Sequence, residues 1–351
     1  MTLTVSVVST ARTWARPARN ARMEWSERAS CIITLQNAQG VRGRGEAAPL
    51  PGFSPDDLRD CEQALLALDV SGIAERLEPT QDLIGELRRA SARIPPQLPA
   101  ARAALETALL DLWARAAFLP AWALLGPAAP VPAARWVAAL ISGQPEDAVA
   151  QALAARARGI GTFKIKIGRA GALSRELAAV RALRAALGPS ARLRLDANQS
   201  LSAAEARDYL PRFASCGLEF IEEPCAAHEL AALRDLGLPL ALDESLAAGA
   251  RPMPGDRALI LKPTLLAGIT GCFALAEAAR AVGAQVVVSH AFEGPLGLAL
   301  SAALALSIGS HTFAHGLDLA GANIDPQCLP YFAQGEVQPW SEPGFGIEEL
   351  G

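Results

Sequence analysis

Five short apolar runs in the second half of the chain close on charged or polar side chains. They are Lys164 and Lys166, Asp196 with Asn198, Glu222 after Phe220, Asp243 with Ser245, and Lys262 beside Pro263. Residues two apart in a strand share a face, so Lys164 and Lys166 point together while Phe163, Ile165 and Ile167 point the other way. Three carboxylates at neighbouring strand ends, Asp196, Glu222 and Asp243, can converge on one hard divalent cation and leave positions for water or a substrate carboxylate. Oxygen donors with no His or Cys among them favour Mg²⁺ over zinc. A free lysine titrates at roughly 10.4, so a lysine base working near neutral pH needs neighbouring cations to depress it. Lys164, Lys262 and the metal are available for that. A metal-bound carboxylate that loses its α-proton to lysine becomes an enediolate, whose added charge the metal and a second lysine stabilise.

The elements that must position these groups follow from periodicity. Strands are expected at 135–141, 162–167, 191–196, 218–222, 240–243, 258–262, 285–289 and 312–317, with helices at 145–158, 172–187, 203–213 and 269–282. Eight strands alternating with helices predict a parallel sheet closed into a barrel, with the lysines projecting inside near the mouth, where a metal, water or an anion compensates them. No Gly-x-Gly-x-x-Gly follows the first of these strands, which weakens an open dinucleotide-binding sheet. Ahead of the barrel, strands at 2–9 and 29–37, a turn-rich connection at 40–45, and a break at 49–55 before a helix describe an α+β unit. The Pro95-Pro96 step separates this unit from a long amphipathic helix at 98–118. The predicted fold is thus α/β: a modified, TIM-like (β/α) barrel over 96–319 with an α+β capping domain over 1–95. A C-terminal segment, 320–351, carries Tyr331, Phe332, Trp340 and Phe345 and is expected to pack back on the cap.

The 351 residues are 51% hydrophobic and 19% charged, which excludes a disordered or collagen-like chain. With 36 acids against 32 bases the net charge is −4, against a nucleic-acid partner. The six cysteines form no C-x-x-C pair, so a cytoplasmic chain without a disulfide framework is expected. The apolar run 294–310 is too short and too rich in Gly and Ser for a membrane span and reads as a buried helix. Arg12, Arg16, Arg19 and Arg22 precede the first acid, as in a transit peptide, but the flanking alternation of Val5, Val7, Cys31, Ile33 and Leu35 places them in a hairpin or loop of the folded protein. Nothing in the pattern specifies an oligomeric state.

Taken in chain order, Lys-x-Lys, Asp-x-Asn, Glu-Glu-Pro, Asp-Glu-Ser and Lys-Pro resemble the enolase superfamily, within it the muconate-cycloisomerase-like branch, over almost the whole chain. The segments 45–54 (Gly-Glu-Ala-Ala-Pro-Leu-Pro-Gly-Phe-Ser), 194–198 (Arg-Leu-Asp-Ala-Asn), 222–225 (Glu-Glu-Pro-Cys) and 243–245 (Asp-Glu-Ser) are similar to those of the o-succinylbenzoate synthases of menaquinone biosynthesis. The resemblance implies Mg²⁺ on Asp196, Glu222 and Asp243, and Lys166 as the base that removes the α-proton and then protonates the departing hydroxyl in a syn dehydration. It implies that Lys164 polarises the carboxylate and assists Lys166, that Lys262 stabilises the enediolate from the opposite face, and that the loops around Phe53 and Arg19 cover a small carboxylate substrate. The family's serine-rich turn after the seventh strand is here Ser289-His290-Ala291-Phe292-Glu293-Gly294, whose backbone, at the start of the next helix, is expected to receive a second substrate carboxylate.

Any one of these motifs alone reads as ordinary surface charge; their order, one per strand end, carries the reading. Arg194 shares a face with Asp196 and either orients the base or substrate or pairs with an acid deeper in the barrel. His290 is a substrate contact or, as in mandelate-racemase relatives, a second base. Asn198, Glu223 and Glu244 sit beside the ligands and are expected to support them. Two other functions fit the pattern less closely: racemisation or epimerisation of N-acylamino acids or dipeptides, with Lys166 and Lys262 as opposed bases, and an inactive barrel kept as a binding module.

Overall fold

Alternating apolar residues at both ends of the N-terminal segment build an antiparallel hairpin, β1 (Thr4–Arg19) and β2 (Glu24–Gln36), which pairs Val7 with Ile33 and Ser9 with Cys31. In the computed structural model, which describes residues 3–19, 23–78, 81–126 and 131–347, the strands run further than the alternation predicts, and Arg12 lies within β1. Asn37 then closes a turn by accepting the amides of Gln39 and Val41, and β3 (Arg42–Ala47) returns along β2. The expected turn-rich connection at 40–45 is therefore mostly strand. Gly43 and Gly45 serve close approach, because a Cβ on either would collide with the backbone of the helix beneath, at Ala108 and Ala104.

Helices α1 (Leu58–Leu66), N-capped by Asp57, and α2 (Leu83–Ser91) complete the antiparallel unit. The next helix, α3 (Pro99–Ala116), was expected to be amphipathic but is buried almost all round, because it lies between β3 and the helices of the barrel. Its two buried acids bind backbone at both surfaces. Asp111 accepts the Arg44 and Phe345 amides at 3.0 and 3.1 Å. Glu106 accepts the Thr270 amide at 2.9 Å and its hydroxyl at 2.7 Å. Thr270 lies in the first turn of the barrel helix Ile269–Val282, whose own cap residue, Gly268, has no side chain to offer. Glu106→Ala strips that cap and leaves buried donors unpaired, so denaturant unfolding is expected to show a loss of about 2–3 kcal/mol; an unchanged midpoint would refute this role.

Seven parallel strands follow in chain order: β4 (Ala138–Ile141), β5 (Thr162–Lys166), β6 (Arg192–Asp196), β7 (Leu218–Glu222), β8 (Leu240–Leu242), β9 (Ala258–Leu261) and β10 (Gln285–Val288). The predicted eighth strand, 312–317, is an extended segment held only by bridges, Val137 to His315 on one side and Ser289 to Gly316 on the other. The His315 ring interrupts the ladder, since its Nδ1 accepts the Val288 amide. The segment still closes the ring, through Ala138 N to His315 O at 2.7 Å and Gly316 N to Val288 O at 2.9 Å. Phe220, Ala241, Ala258, Ile260, Val287 and Phe313 fill the barrel below its mouth as a separate apolar cluster. The buried helix expected at 294–310 spans Pro295–Ser307. The C-terminal segment returns to α3 through Phe345, and Val337 pairs with Arg135 just ahead of β4. Among the described residues, no helix is long and apolar enough to cross a membrane.

Candidate active site

The strand register brings the charged residues to one level. Lys166 stands opposite Asp196 and Asp196 opposite Glu222, at the C-terminal ends of β5, β6 and β7. Alternation buries Phe163 and Ile165 on the outer face and turns both lysines inward, as their spacing predicts. Lys164 Nζ lies 2.9 Å from Asp196 Oδ2 and 2.9 Å from Glu222 Oε1. Lys166 Nζ lies 2.5 Å from Asp196 Oδ2 and 2.7 Å from Asn198 Oδ1. Lys262 pairs with Asp243 on the far side, and the Glu222 carboxyl hydrogen-bonds Asp243. The six side chains expected to meet are thus one contiguous cluster, its acids and Lys262 buried and Lys164 and Lys166 half-buried.

The surrounding polar groups hold this cluster from outside. Asn198 links Lys166 to Glu244, donating from Nδ2 to Oε1 at 2.8 Å. Glu223, in the left-handed region at φ 40°, turns its carboxylate back to accept the amides of Asp243 (2.7 Å) and Ser245 (3.0 Å). A strained backbone at a non-glycine residue persists only where neighbours over-determine it, and these bonds do so. Arg194 pairs with Glu219 at 2.6 Å, donates to the Ala314 carbonyl at 2.8 Å and stacks on Phe220 with 4.5 Å to the ring centre. Of the two roles open to it, the deeper pairing is the one it makes, although it also lines the cavity floor.

Burial and crowding set the electrostatics. Burial, helped by the charge of Asp196, pushes Glu222 up to about 8, and burial with the neighbouring Glu244 pushes Asp243 to about 6. Burial alone would lower Lys164 and Lys262, but the carboxylates outweigh it and hold both ammoniums above the usual lysine range. Asp196 is driven low because Lys164 and Lys166 outweigh its own desolvation. Among the described residues, no group of three His, Cys, Asp or Glu side chains is arranged to grip an ion as placed, since lysine ammoniums stand between the acids. The donor set nevertheless suits a hard divalent cation. Three carboxylates lie in continuous contact through Lys164 and the Glu222–Asp243 bond, two of them raised by burial and crowding that positive charge relieves.

Above the cluster is a narrow cavity of about 70 Å³ that opens to solvent. Lys164, Lys166, Arg194 and Lys262 line it against two acids, Glu222 and Asp318. Both acids are already paired: Glu222 with Lys164, and Asp318 with Arg158 at 2.9 Å. Ser289, His290 and Phe292 form another wall. From the cap, Phe53 faces the Lys262 ammonium at 5.0 Å and packs in a cluster with Trp14, Trp25, Leu50 and Phe292. The side chain of Arg19, the other expected cap contact, lies outside the described residues.

One expectation fails. The N-terminus of helix Pro295–Ser307 is not free for a substrate carboxylate, because Glu46 of β3 occupies it, accepting Gly294 N at 2.8 Å and Gly297 N at 3.2 Å. The cap satisfies the helix's orphan amides, and the partner is 248 residues away in sequence. Sequence reasoning also passed over Asp318, although it closes the eighth extended segment as the other charges close theirs. Arg28, which joins cap and barrel backbones at the site's edge, carried no local signal.

Residues 2–126 match the family described as mandelate racemase / muconate lactonizing enzyme, N-terminal domain, and residues 147–349 match enolase C-terminal domain-like. The chain is 30% identical over 320 residues to the o-succinylbenzoate synthase of Klebsiella pneumoniae, covering 89% of this chain and 86% of the relative. In structure it is similar to the L-Ala-D/L-Glu epimerase of Bacillus subtilis, with a TM-score of 0.83 and 23% identity over 99% of this chain and 98% of that one. It is also similar to the dipeptide epimerase of Methylococcus capsulatus complexed with Mg and L-Arg-D-Lys, with a TM-score of 0.80 and 25% identity over 99% of both chains.

Proposed function

The chain belongs to the enolase superfamily, and we propose that within it the protein is an o-succinylbenzoate synthase. It would eliminate water from 2-succinyl-6-hydroxy-2,4-cyclohexadiene-1-carboxylate to give o-succinylbenzoate, a step of menaquinone biosynthesis. The observation that carries this reading is the charge of the cavity. Four cations line it against two acids, an excess of positive charge in the lining that suits a substrate with two carboxylates. A dipeptide would bring an α-ammonium into that excess of positive charge.

In this reading Asp196, Glu222 and Asp243 hold Mg²⁺. The bound cation supplies positive charge against which a carboxylate can release its α-proton. Lys166 Nζ receives that proton from the ring carbon bearing the carboxylate. The ring C–O bond then breaks, and the same ammonium returns the proton to the departing hydroxyl, which leaves as water on the same face. Lys164, bridging Asp196 and Glu222, holds positive charge beside the carboxylate. Lys262, just after β9 across the barrel and covered by Phe53, would face the developing enediolate from the other side. The product ring is aromatic, so the elimination runs strongly downhill.

A second reading has a specific observation behind it. Lys166 and Lys262 enter the cavity from separate walls, the arrangement a racemase or epimerase with two bases needs. The test is a comparison of kcat/KM for the cyclohexadiene substrate, an N-succinylamino acid and L-Ala-L-Glu with Mg²⁺, following ring aromatisation in the ultraviolet and α-proton exchange in D₂O. The cyclohexadiene is expected to lead and the dipeptide to give no exchange. Rapid dipeptide epimerisation without aromatisation would sink the proposal.

A further inference from the structure

We propose that His290 is a neutral donor whose Nε2–H binds a carboxylate oxygen of the substrate, so that it recognises the substrate and takes no part in proton transfer. This rests on reading the cavity as a site for an anionic substrate. The argument is the direction of one hydrogen bond. The Phe292 amide donates to His290 Nδ1 at 3.1 Å, so Nδ1 carries the lone pair and the ring proton sits on Nε2. A histidine base needs the reverse, with Nδ1–H given to an acid and a free lone pair on Nε2. Among the described residues Nε2 has no hydrogen-bond partner, and the ring lines the cavity.

The ring's orientation is held by Phe292, whose amide and ring both meet it. Phe292 meets it edge-on at 5.3 Å and 70°. Phe292 itself has the left-handed φ of 61°, a strain that needs support. Arg28, buried on β2, supplies it by donating to the carbonyls of Phe292 at 3.2 Å and Ala291 at 3.3 Å, while the same guanidinium donates to Ala48 and Pro49 in the cap loop that carries Phe53. The charged groups bearing on the imidazole are the ammoniums of Lys164 and Lys262, and with burial they hold it down to about 3. His290 therefore stays neutral and offers a single donor.

Two measurements decide it. In ¹⁵N-histidine-labelled full-length protein, the resonances lost in His290→Gln identify this ring among the four histidines. They are expected to report a protonated Nε2 and an unprotonated Nδ1 from pH 6 to 8; a protonated Nδ1, or titration in that range, would overturn the proposal. In turnover, His290→Leu is expected to lower kcat/KM about 10- to 100-fold, while His290→Gln, which carries an N–H at similar reach, recovers most of that loss with the pH profile unmoved. Equal activity of Leu and wild type, a Gln variant as impaired as Leu, or a missing limb in its pH profile would each overturn it. Should the wild type not dehydrate the cyclohexadiene, the functional reading fails, and His290 is then judged by the tautomer together with the Leu-against-Gln difference in affinity for o-succinylbenzoate.

Discussion

Lys166→Ala is expected to lower turnover of the cyclohexadiene substrate by about 10³- to 10⁴-fold, the upper range for loss of a positioned general base. The effect is large because the proposed cycle uses the same Nζ twice, first as base and then as acid, and among the described residues only Lys166 bridges Asp196 and Asn198. Removing it also frees Asp196 of one cation partner while Lys164 remains, so the fold is expected to survive; circular dichroism and an unchanged unfolding midpoint check that. Lys262→Ala separates the two readings of the site. If Lys262 only stabilises the enediolate, dehydration slows and α-proton exchange slows with it for every substrate. If it is a second base, exchange of one enantiomer of an N-succinylamino acid disappears and the other persists. Undiminished dehydration by Lys166→Ala would remove the mechanism altogether.

Glu222→Gln is expected to weaken Mg²⁺ binding by more than about 100-fold, since residues that merely support metal ligands already cost 10- to 100-fold. The same change is expected to leave metal-free protein no less stable. Glu222 is buried, crowded by Asp196 and Asp243, and raised to about 8, so the folded site already favours its neutral form and a neutral Gln suits it, even as the change weakens the contact to Lys164. A site kept for function at a cost in stability predicts this opposition: affinity lost, thermal midpoint held or raised. A simple structural ion-pair cluster predicts the reverse, a lower midpoint with no change in Mg²⁺ affinity.

Much of this site could be read before any coordinates, because the information is local. Each barrel strand is a short apolar run, and strand alternation turns Lys164, Lys166, Asp196 and Glu222 inward, the last three level with one another and Lys164 one layer deeper. The helix at Ile269–Val282 was bounded to the residue by its own Gly268 and Gly283. What escaped depends on partners far away in the chain. Gly43 and Gly45 look like turn residues until α3 is seen beneath them. The all-round burial of α3 follows from neighbours on both sides that its own periodicity does not encode. The segment 312–317 has strand composition, but the His315 ring takes an amide that a regular ladder would bond to backbone. Arg28 and Glu46 read as ordinary charges of a surface hairpin, and only the docked barrel turns them into the groups that bind loop carbonyls and a helix N-terminus.

Mg²⁺ titration by calorimetry, on wild type and on Asp196→Asn, Glu222→Gln and Asp243→Asn, asks most directly whether three acids on three adjacent barrel strands serve a single cation. One ion per wild-type chain, with binding lost in all three variants while each remains folded, is the predicted result. No binding by the wild type, or affinity unaltered by any one of the three substitutions, would contradict it.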